Sequence, residues 1–454
     1  MKILNPATGE ILKEVAEDTP ASIELKYAAA RSAQSDWSSR PIEERIRCIQ
    51  RFHDLLQTHE ERLATDLTQE VGKPFQESRN ELNGARTRIR FFIEKAAGVL
   101  QPSHQRTDGT TEEWISFDAL GVIGNISAWN YPYLVGVNVF IPALIAGNAV
   151  LYKPSEFSIL TGLHIEKLMH ESGVPREIFS AVMGDSRAGE ALLDLPLDGY
   201  FFTGSYKTGK YISERVAGKL VPVGLELGGK DPLYVTDEIK DLSQVAAAVA
   251  EGCFYNNGQS CCAVERVYVH ESIYDRFLTF FESETKKLKV GDPMIASHQQ
   301  GSLTRPAHAA FLESQIEDAL KKGARILCGG RRLTGPGNYF EPTVLVEVNH
   351  SMRVMKEESF GPIIGVMKVK NDEEATRLMQ DCEYGLTAAV YSSNRERART
   401  ILSQIDTGTS YVNCCDRVSP YLPWAGRKHS GLGATLSQLG ILAFVKPRGW
   451  HLRT

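Results

Sequence analysis

Between Asp118 and Lys153 the chain runs for 34 residues without a charged side chain. That exceeds the ~18 to 20 residues a helix needs to cross a bilayer. The punctuation of the run argues against one long helix. Gly121, Gly124, Asn125, Asn130, Pro132, Asn138, Pro142, Gly147 and Asn148 cut it into a strand-like Val122-Ile123, a turn, a short helix and a strand-like Ala149-Val150-Leu151-Tyr152. Parallel strands covered on both faces are nearly all apolar, so the run reads as a buried strand–helix–strand unit and no membrane span is expected.

The flanking sequence extends this pattern. Upstream, Ile42, Ile46, Ile49, Phe52 and Leu56 recur at three or four residues with charges between them, and residues 20–100 read as helices. Downstream, helices alternate with strand candidates at Ser180–Gly184, Gly199–Thr203, Leu220–Val223, Val267–Val269 and Leu386–Tyr391. This is the doubly wound α/β pattern, in which ligands sit at the carboxyl ends of the strands. A length of 454 residues predicts two to four domains, and the lack of a repeat or low-complexity linker predicts that they pack closely. The net charge of −5, with no basic block of five or more residues, argues against a nucleic-acid partner.

The eight cysteines show no C-x-x-C spacing and the eleven histidines no H-E-x-x-H, so no metal site is expected. The N-terminal Met1-Lys2-Ile3-Leu4-Asn5-Pro6 has no long apolar segment of a secretory signal, and a reducing, cytoplasmic setting with free thiols is expected. Most of those thiols should be small buried hydrophobes. Cys261 stands apart. It lies in Phe254-Tyr255-Asn256-Asn257-Gly258-Gln259-Ser260-Cys261-Cys262-Ala263, beside a glycine-containing turn where a backbone N–H could face a reacting oxygen. A thiol of pKa ~8.5 is only a few per cent thiolate at neutral pH, so a nucleophilic role requires local help. Leu225-Glu226-Leu227-Gly228-Gly229-Lys230 places a carboxylate at a strand end before two glycines that let other groups come close. Ile126-Ser127-Ala128-Trp129-Asn130-Tyr131-Pro132 places an amide donor in a turn after another strand. Taken singly, Glu226 reads equally as a salt-bridge partner and Asn130 as a turn residue.

With Lys153-Pro154-Ser155-Glu156, Phe202-Thr203-Gly204-Ser205 and Glu358-Ser359-Phe360-Gly361-Pro362, these segments resemble the aldehyde dehydrogenase superfamily. The resemblance runs in order from Asn5-Pro6-Ala7-Thr8-Gly9 to Pro423-Trp424-Ala425-Gly426 and Ser430-Gly431, over essentially the whole chain. It implies that Cys261 is the nucleophile that adds to an aldehyde carbon. Asn130 and the backbone N–H of Cys261 then stabilise the oxyanion, and Glu226 is the general base that directs water onto the resulting thioester. Members that pass the acyl group to coenzyme A typically lack this glutamate, so hydrolysis to a carboxylic acid is implied. The G-x-G-x-x-G fingerprint is absent from the first strand–helix turn. Gly204-Ser205-Tyr206-Lys207-Thr208-Gly209 instead offers a helix N-terminus to a pyrophosphate. The resemblance assigns Trp129, Lys153, Ser155, Glu156, Gly204, Ser205, Gly209, Leu227, Glu358 and Phe360 to cofactor binding. Lys153 and Glu156 match the adenosine-ribose positions, and an acidic group there favours NAD over NADP by repelling a 2′-phosphate. Glu358 matches the residue that holds the nicotinamide ribose.

The implied architecture is a Rossmann-like cofactor domain (1–102 and 119–226), an α/β catalytic domain (227–412) and a small β-flap with a tail (103–118 and 440–454) through which members dimerise or form dimers of dimers. Departures from the family pattern fall in the substrate tunnel. Asn138-Val139 stands where tryptophan and lysine are frequent, and Val418 where some members have an aromatic ring, although Trp424 keeps one. Arg417 is a candidate contact for an anionic tail, as in a semialdehyde such as succinate semialdehyde, but reads more readily as a solvent-exposed arginine. Two other readings are a cysteine-dependent hydrolase or acyltransferase without redox chemistry, which would need a histidine where the motifs offer only His429, and a catalytically silent relative, at odds with the presence of Cys261, Glu226 and Asn130.

Overall fold

In the computed structural model, which describes residues 1–454, the uncharged run folds as a strand–helix–strand unit. Val122–Ile126 and Ala149–Lys153 are neighbouring parallel strands, and Pro132–Ile145 is the helix that joins them. Every residue of that helix except Leu134 is buried, which accounts for the missing charges. No helix is long and apolar enough to cross a membrane.

The two strands lie side by side within a six-stranded sheet. Its order is Gly431–Leu432, Val223–Glu226, Gly199–Thr203, Val122–Ile126, Ala149–Lys153, Phe179–Ala181, parallel throughout except for the first short strand. Numbered along the chain, the five parallel strands lie in the order 5-4-1-2-3, so the direction of winding reverses between Val122–Ile126 and Gly199–Thr203. A crevice opens at the carboxyl ends of strands on either side of such a reversal. Leu220–Val223 differs from expectation: Leu220 is left-handed (φ 53°) and exposed, Pro222 has no N–H to donate, and the strand begins only at Val223.

A second sheet of seven strands follows the order Arg325–Cys328, Thr343–Val346, Ile363–Val369, Val264–His270, Asp231–Val235, Thr387–Tyr391, Thr409–Val412, parallel except for the first pair. Its two faces bury separate cores. Leu233, Val235, Val267 and Val269 face one, and Tyr234 and Tyr268 the other, as the two-residue period of a strand requires. Helices cover residues 20–100 as expected, in four pieces, and the longest, Phe75–Leu100, packs along Pro132–Ile145. Ser103–Asp108, Thr111–Ala119 and Val445–Arg453 form a separate three-stranded antiparallel sheet, which pairs the end of the chain with its first third.

Candidate active site

Glu226 ends the last parallel strand of the first sheet, and Asp231 begins the first strand of the second. The link between them, Leu227–Lys230, lets the sheets approach. A Cβ on Gly229 would lie 2.7 Å from the carbonyl oxygen of Cys261, and one on Gly228 would collide with the Glu358 carboxylate. Only glycine allows both contacts. Two residues that are remote in sequence, Cys261 and Glu358, thereby meet the end of the strand that carries Glu226.

Cys261 lies in the loop between the helix Leu242–Phe254 and the strand Val264–His270. Asn256 and Asn257 turn this loop with left-handed φ values of 54° and 57°, a conformation asparagine tolerates better than most residues. Their side chains then hold it. Asn257 donates to the Ser302 carbonyl (3.0 Å) and accepts from the Gly301 N–H (2.7 Å), while Gln259 accepts from the Thr304 N–H (3.0 Å). Asn256 donates to the carbonyls of Asn130 (3.1 Å) and Gln259 (3.0 Å), and Asn130 donates through Nδ2 to Gln259 O (3.1 Å). The turn carrying Asn130 is thus tied to the loop carrying Cys261. A primary amide has two N–H groups, and the second of Asn130 remains free for another acceptor.

A fully buried ion pair secures that turn from behind. Lys73 Nζ contacts Glu81 (2.7 Å), lies 4.1 Å from the centre of the Tyr131 ring and donates to the Asn130 carbonyl. Glu81 also accepts from the Tyr133 N–H (2.8 Å) at the start of the helix Pro132–Ile145, where a carboxylate is favoured. A second buried pair, Lys230–Glu265 (2.6 Å), plays the same part for the segment Glu358–Phe360: Glu265 accepts from the N–H groups of Ser359 (2.7 Å) and Phe360 (2.9 Å), and Lys230 donates to the Ser359 hydroxyl. The carboxylate of Glu358 accepts from the Gly229 N–H (3.0 Å), and burial raises its pKa to about 8. Glu226 accepts from the Thr435 hydroxyl, and burial raises its pKa to about 7. A carboxyl group that titrates near neutrality is matched to proton transfer at that pH.

Two cavities of about 560 Å³ each have Cys261, Glu226 and Trp424 in common walls. The first is the crevice at the carboxyl ends of the six-stranded sheet, and it gathers Trp129, Asn130, Lys153, Ser155, Glu156, Gly204, Ser205, Leu227, Glu358 and Phe360. Gly209 is the exception. It lies one turn inside the helix Tyr206–Val216, where its missing Cβ makes room for the Leu227 side chain, so it shapes the wall from beneath. Ser205 caps that helix through the Thr208 N–H, leaving the N-terminus directed at the crevice. Lys153 and Glu226 end strands three positions apart, about 14 Å at the usual strand spacing. Trp129 packs edge-to-face on Phe360, with ring centres 5.4 Å apart. A carboxylate at each end and a helix N-terminus between them could hold an extended dinucleotide.

The second cavity lies between the helices Phe75–Leu100 and Pro132–Ile145 and the segment Asn413–Pro420. Cys262, Cys414 and Cys415 line it beside Cys261. The Cys262 thiol donates to Asp416 (2.9 Å). Its hydrogen bond with Cys261, burial and the Asp416 carboxyl raise its pKa well above the ordinary value, which leaves it a protonated neighbour. Arg417 is at the mouth, mostly exposed, with Glu251 3.7 Å away. His429 stacks on Tyr206 with ring centres 3.9 Å apart and lines neither cavity, so it offers no base to Cys261.

Sequence reasoning missed Arg88, Lys73, Glu81 and Thr435. Arg88 left a signal: Leu82, Ala85, Ile89 and Phe92 form the buried stripe of their helix, and Arg88 falls on it, three residues after Ala85 and four before Phe92. Nothing in the type or spacing of Lys73 or Thr435 marks them, because the groups they serve, the Asn130 carbonyl and the Glu226 carboxyl, lie in distant segments.

The pattern of the "Aldehyde dehydrogenase family" matches residues 1–448 of the chain. The chain is 33% identical over 446 residues to a succinate-semialdehyde dehydrogenase [NADP(+)] of Deinococcus radiodurans, covering 98% of this chain and 93% of that protein. It is 34% identical over 436 residues to a betaine aldehyde dehydrogenase of Rhizobium etli, covering 95% and 89%. The crystal structure of betaine aldehyde dehydrogenase from Staphylococcus aureus in complex with NAD+ superposes with a TM-score of 0.96 at 30% identity, covering 100% of this chain and 92% of that one.

Proposed function

Because the chain belongs to the aldehyde dehydrogenase family and is thus an oxidoreductase of NAD(P)-dependent aldehyde oxidation, we propose that it converts an aldehyde to the free carboxylic acid through covalent attachment to Cys261. The observation that carries this reading is the position of Cys261 and Glu226 in the walls of both cavities, which puts one thiol and one carboxyl group within reach of a substrate on one side and a cofactor on the other.

The Cys261 thiolate adds to the aldehyde carbon, and the carbonyl oxygen becomes an oxyanion. The free N–H of the Asn130 amide and the backbone N–H of Cys261 receive it, donors of a kind worth ~3 to 4 kcal/mol each in a water-excluded site. The chemistry that a nicotinamide dinucleotide supplies when bound in the crevice is two-electron oxidation, by accepting hydride. Lys153, Ser155, Glu156, Glu358 and Phe360 would hold it there, and the helix beginning at Tyr206 would take its pyrophosphate. Glu226 then removes a proton from the water that attacks the thioester on Cys261, releasing the acid and the thiolate. Glu156 disfavours a 2′-phosphate, which supports NAD as the preferred cofactor. The three-stranded sheet has an edge strand, Val445–Arg453, with Trp450 and Leu452 exposed, and supports assembly into a homodimer or homotetramer. All eight cysteines are free, in keeping with a reducing cytoplasm that preserves the Cys261 thiol.

The reading is tested by NADH absorbance on mixing the protein with NAD and a panel of aldehydes. Cys261→Ser is expected to remove the signal and Cys262→Ser to retain most of it. The reverse result, or no turnover of any aldehyde with either NAD or NADP, would overturn it.

A further inference from the structure

Six charged side chains line the substrate cavity, and five of them are satisfied by the protein. Glu81 is paired with Lys73, Glu226 accepts from Thr435, Asp416 accepts from Cys262, and Glu251 and Arg417 face each other at the mouth. Arg88 is the sixth. It is 8% exposed and has no carboxylate within ion-pair distance. Its Nη1 donates to the Leu134 carbonyl (3.2 Å) and to Asn138 Oδ1 (3.0 Å), which fixes the plane of the guanidinium. Its Nε and Nη2 donate to no protein acceptor, and neither is among the polar atoms sealed from solvent without a partner, so this edge of the fork opens on the cavity.

A buried cation without a counter-ion is costly, and proteins rarely keep one unless something else supplies the charge. Burial lowers the Arg88 pKa, and the guanidinium shares the walls of one cavity with Glu226 and Cys261. The edge formed by Nε and Nη2 matches the two oxygens of a carboxylate, a bidentate contact that lysine cannot reproduce.

We infer that Arg88 is a specificity-determining residue that receives the carboxylate tail of a short ω-carboxy aldehyde whose other end is attacked by Cys261. This rests on the proposed aldehyde-oxidising function and names its substrate class. It also moves recognition of an anionic tail from Arg417, which is exposed and faces Glu251, to a residue of the helix Phe75–Leu100. A cationic aldehyde such as betaine aldehyde would place its charge against an unneutralised guanidinium.

The test begins with the wild-type protein. Succinate semialdehyde and its one-carbon-longer homologue are expected to exceed pentanal and betaine aldehyde in kcat/KM by about a hundredfold, the order of a buried charge-assisted contact. Arg88→Met should erase that advantage mainly through KM, with pentanal turnover within about threefold of wild type, and Arg88→Lys should restore only part of it. Arg417→Ala should leave the preference unchanged. Independently of turnover, succinate should raise the melting temperature of the wild type and not of Arg88→Met, whereas butanoate should raise neither. Turnover of pentanal equal to that of succinate semialdehyde in the wild type, or an equal loss on both in Arg88→Met, would overturn the assignment while leaving the aldehyde-oxidising function in place. Absence of turnover on every aldehyde would instead overturn the function. If Arg88→Met does not fold, the wild-type preference and the Arg88→Lys kinetics decide the matter.

Discussion

The crevice proposed for the cofactor draws its lining from residues next to strand ends: Lys153, Gly204, Ser205 and Leu227 each follow or close a strand of one sheet. The cavity proposed for the substrate draws Arg88 from one helix, Asn138 from another, and Cys262 and Asp416 from loops around the second sheet. The difference lies in what fixes each group in space. Strand spacing places the first set, so any chain with this winding order presents its loops at the same crevice. Side-chain packing between separate elements places the second set, so one altered residue changes what the cavity can receive. The two buried ion pairs follow the same division, since Lys230–Glu265 secures the segment carrying Glu358 on the cofactor side and Lys73–Glu81 secures the turn carrying Asn130 beside the thiol.

Breaking either pair on one side leaves an uncompensated buried charge and is the largest effect expected, ~3 to 5 kcal/mol of stability by urea denaturation for Lys73→Met or Lys230→Met. Their kinetic signatures should differ. Lys230→Met is expected to raise the KM for NAD, and Lys73→Met to lower kcat with NAD binding preserved; the same signature from both would break the division between the two regions. Asn130→Ala removes one oxyanion donor and should lower kcat by ~10²- to 10³-fold with little change in KM, measured under saturating NAD.

Glu226 works as a base only when deprotonated, and burial has raised its pKa to about 7. Hydrolysis of the thioester should therefore fall about tenfold per pH unit below that value and level off above it. Glu226→Gln should abolish that limb and allow the acyl-enzyme to accumulate, which mass spectrometry after quenching would detect. The smallest effect is expected at the adenosine end, where Glu156→Gln should shift the NAD to NADP preference by roughly tenfold with kcat unchanged. A preference that does not move would show that Lys153 and the helix N-terminus dominate that end.

Much of this could be read along the chain because the groups concerned lie beside local signals. Glu226 precedes a glycine pair, Asn130 follows an apolar strand, and Cys261 follows an asparagine–glycine turn, and each of these patterns constrains the backbone within a few residues. Leu220–Val223 was misleading because its apolar residues outweighed Pro222 and the left-handed turn that starts there. Gly209 matched a cofactor position, yet its use is to admit the Leu227 side chain.

By itself, the sequence determined the α/β winding and marked Cys261, Glu226, Asn130 and the polar residues that the fold gathers at one crevice, since strand period, turn residues and helix starts are local properties of the chain. The tertiary structure alone decided which charges are paired. Lys73 meets Glu81, Glu226 meets Thr435 and Arg417 faces Glu251, whereas Arg88 keeps a free edge in the cavity. Whether a buried charge is neutralised depends on partners up to hundreds of residues away, and only the folded arrangement of helices and loops brings those partners within a few ångströms.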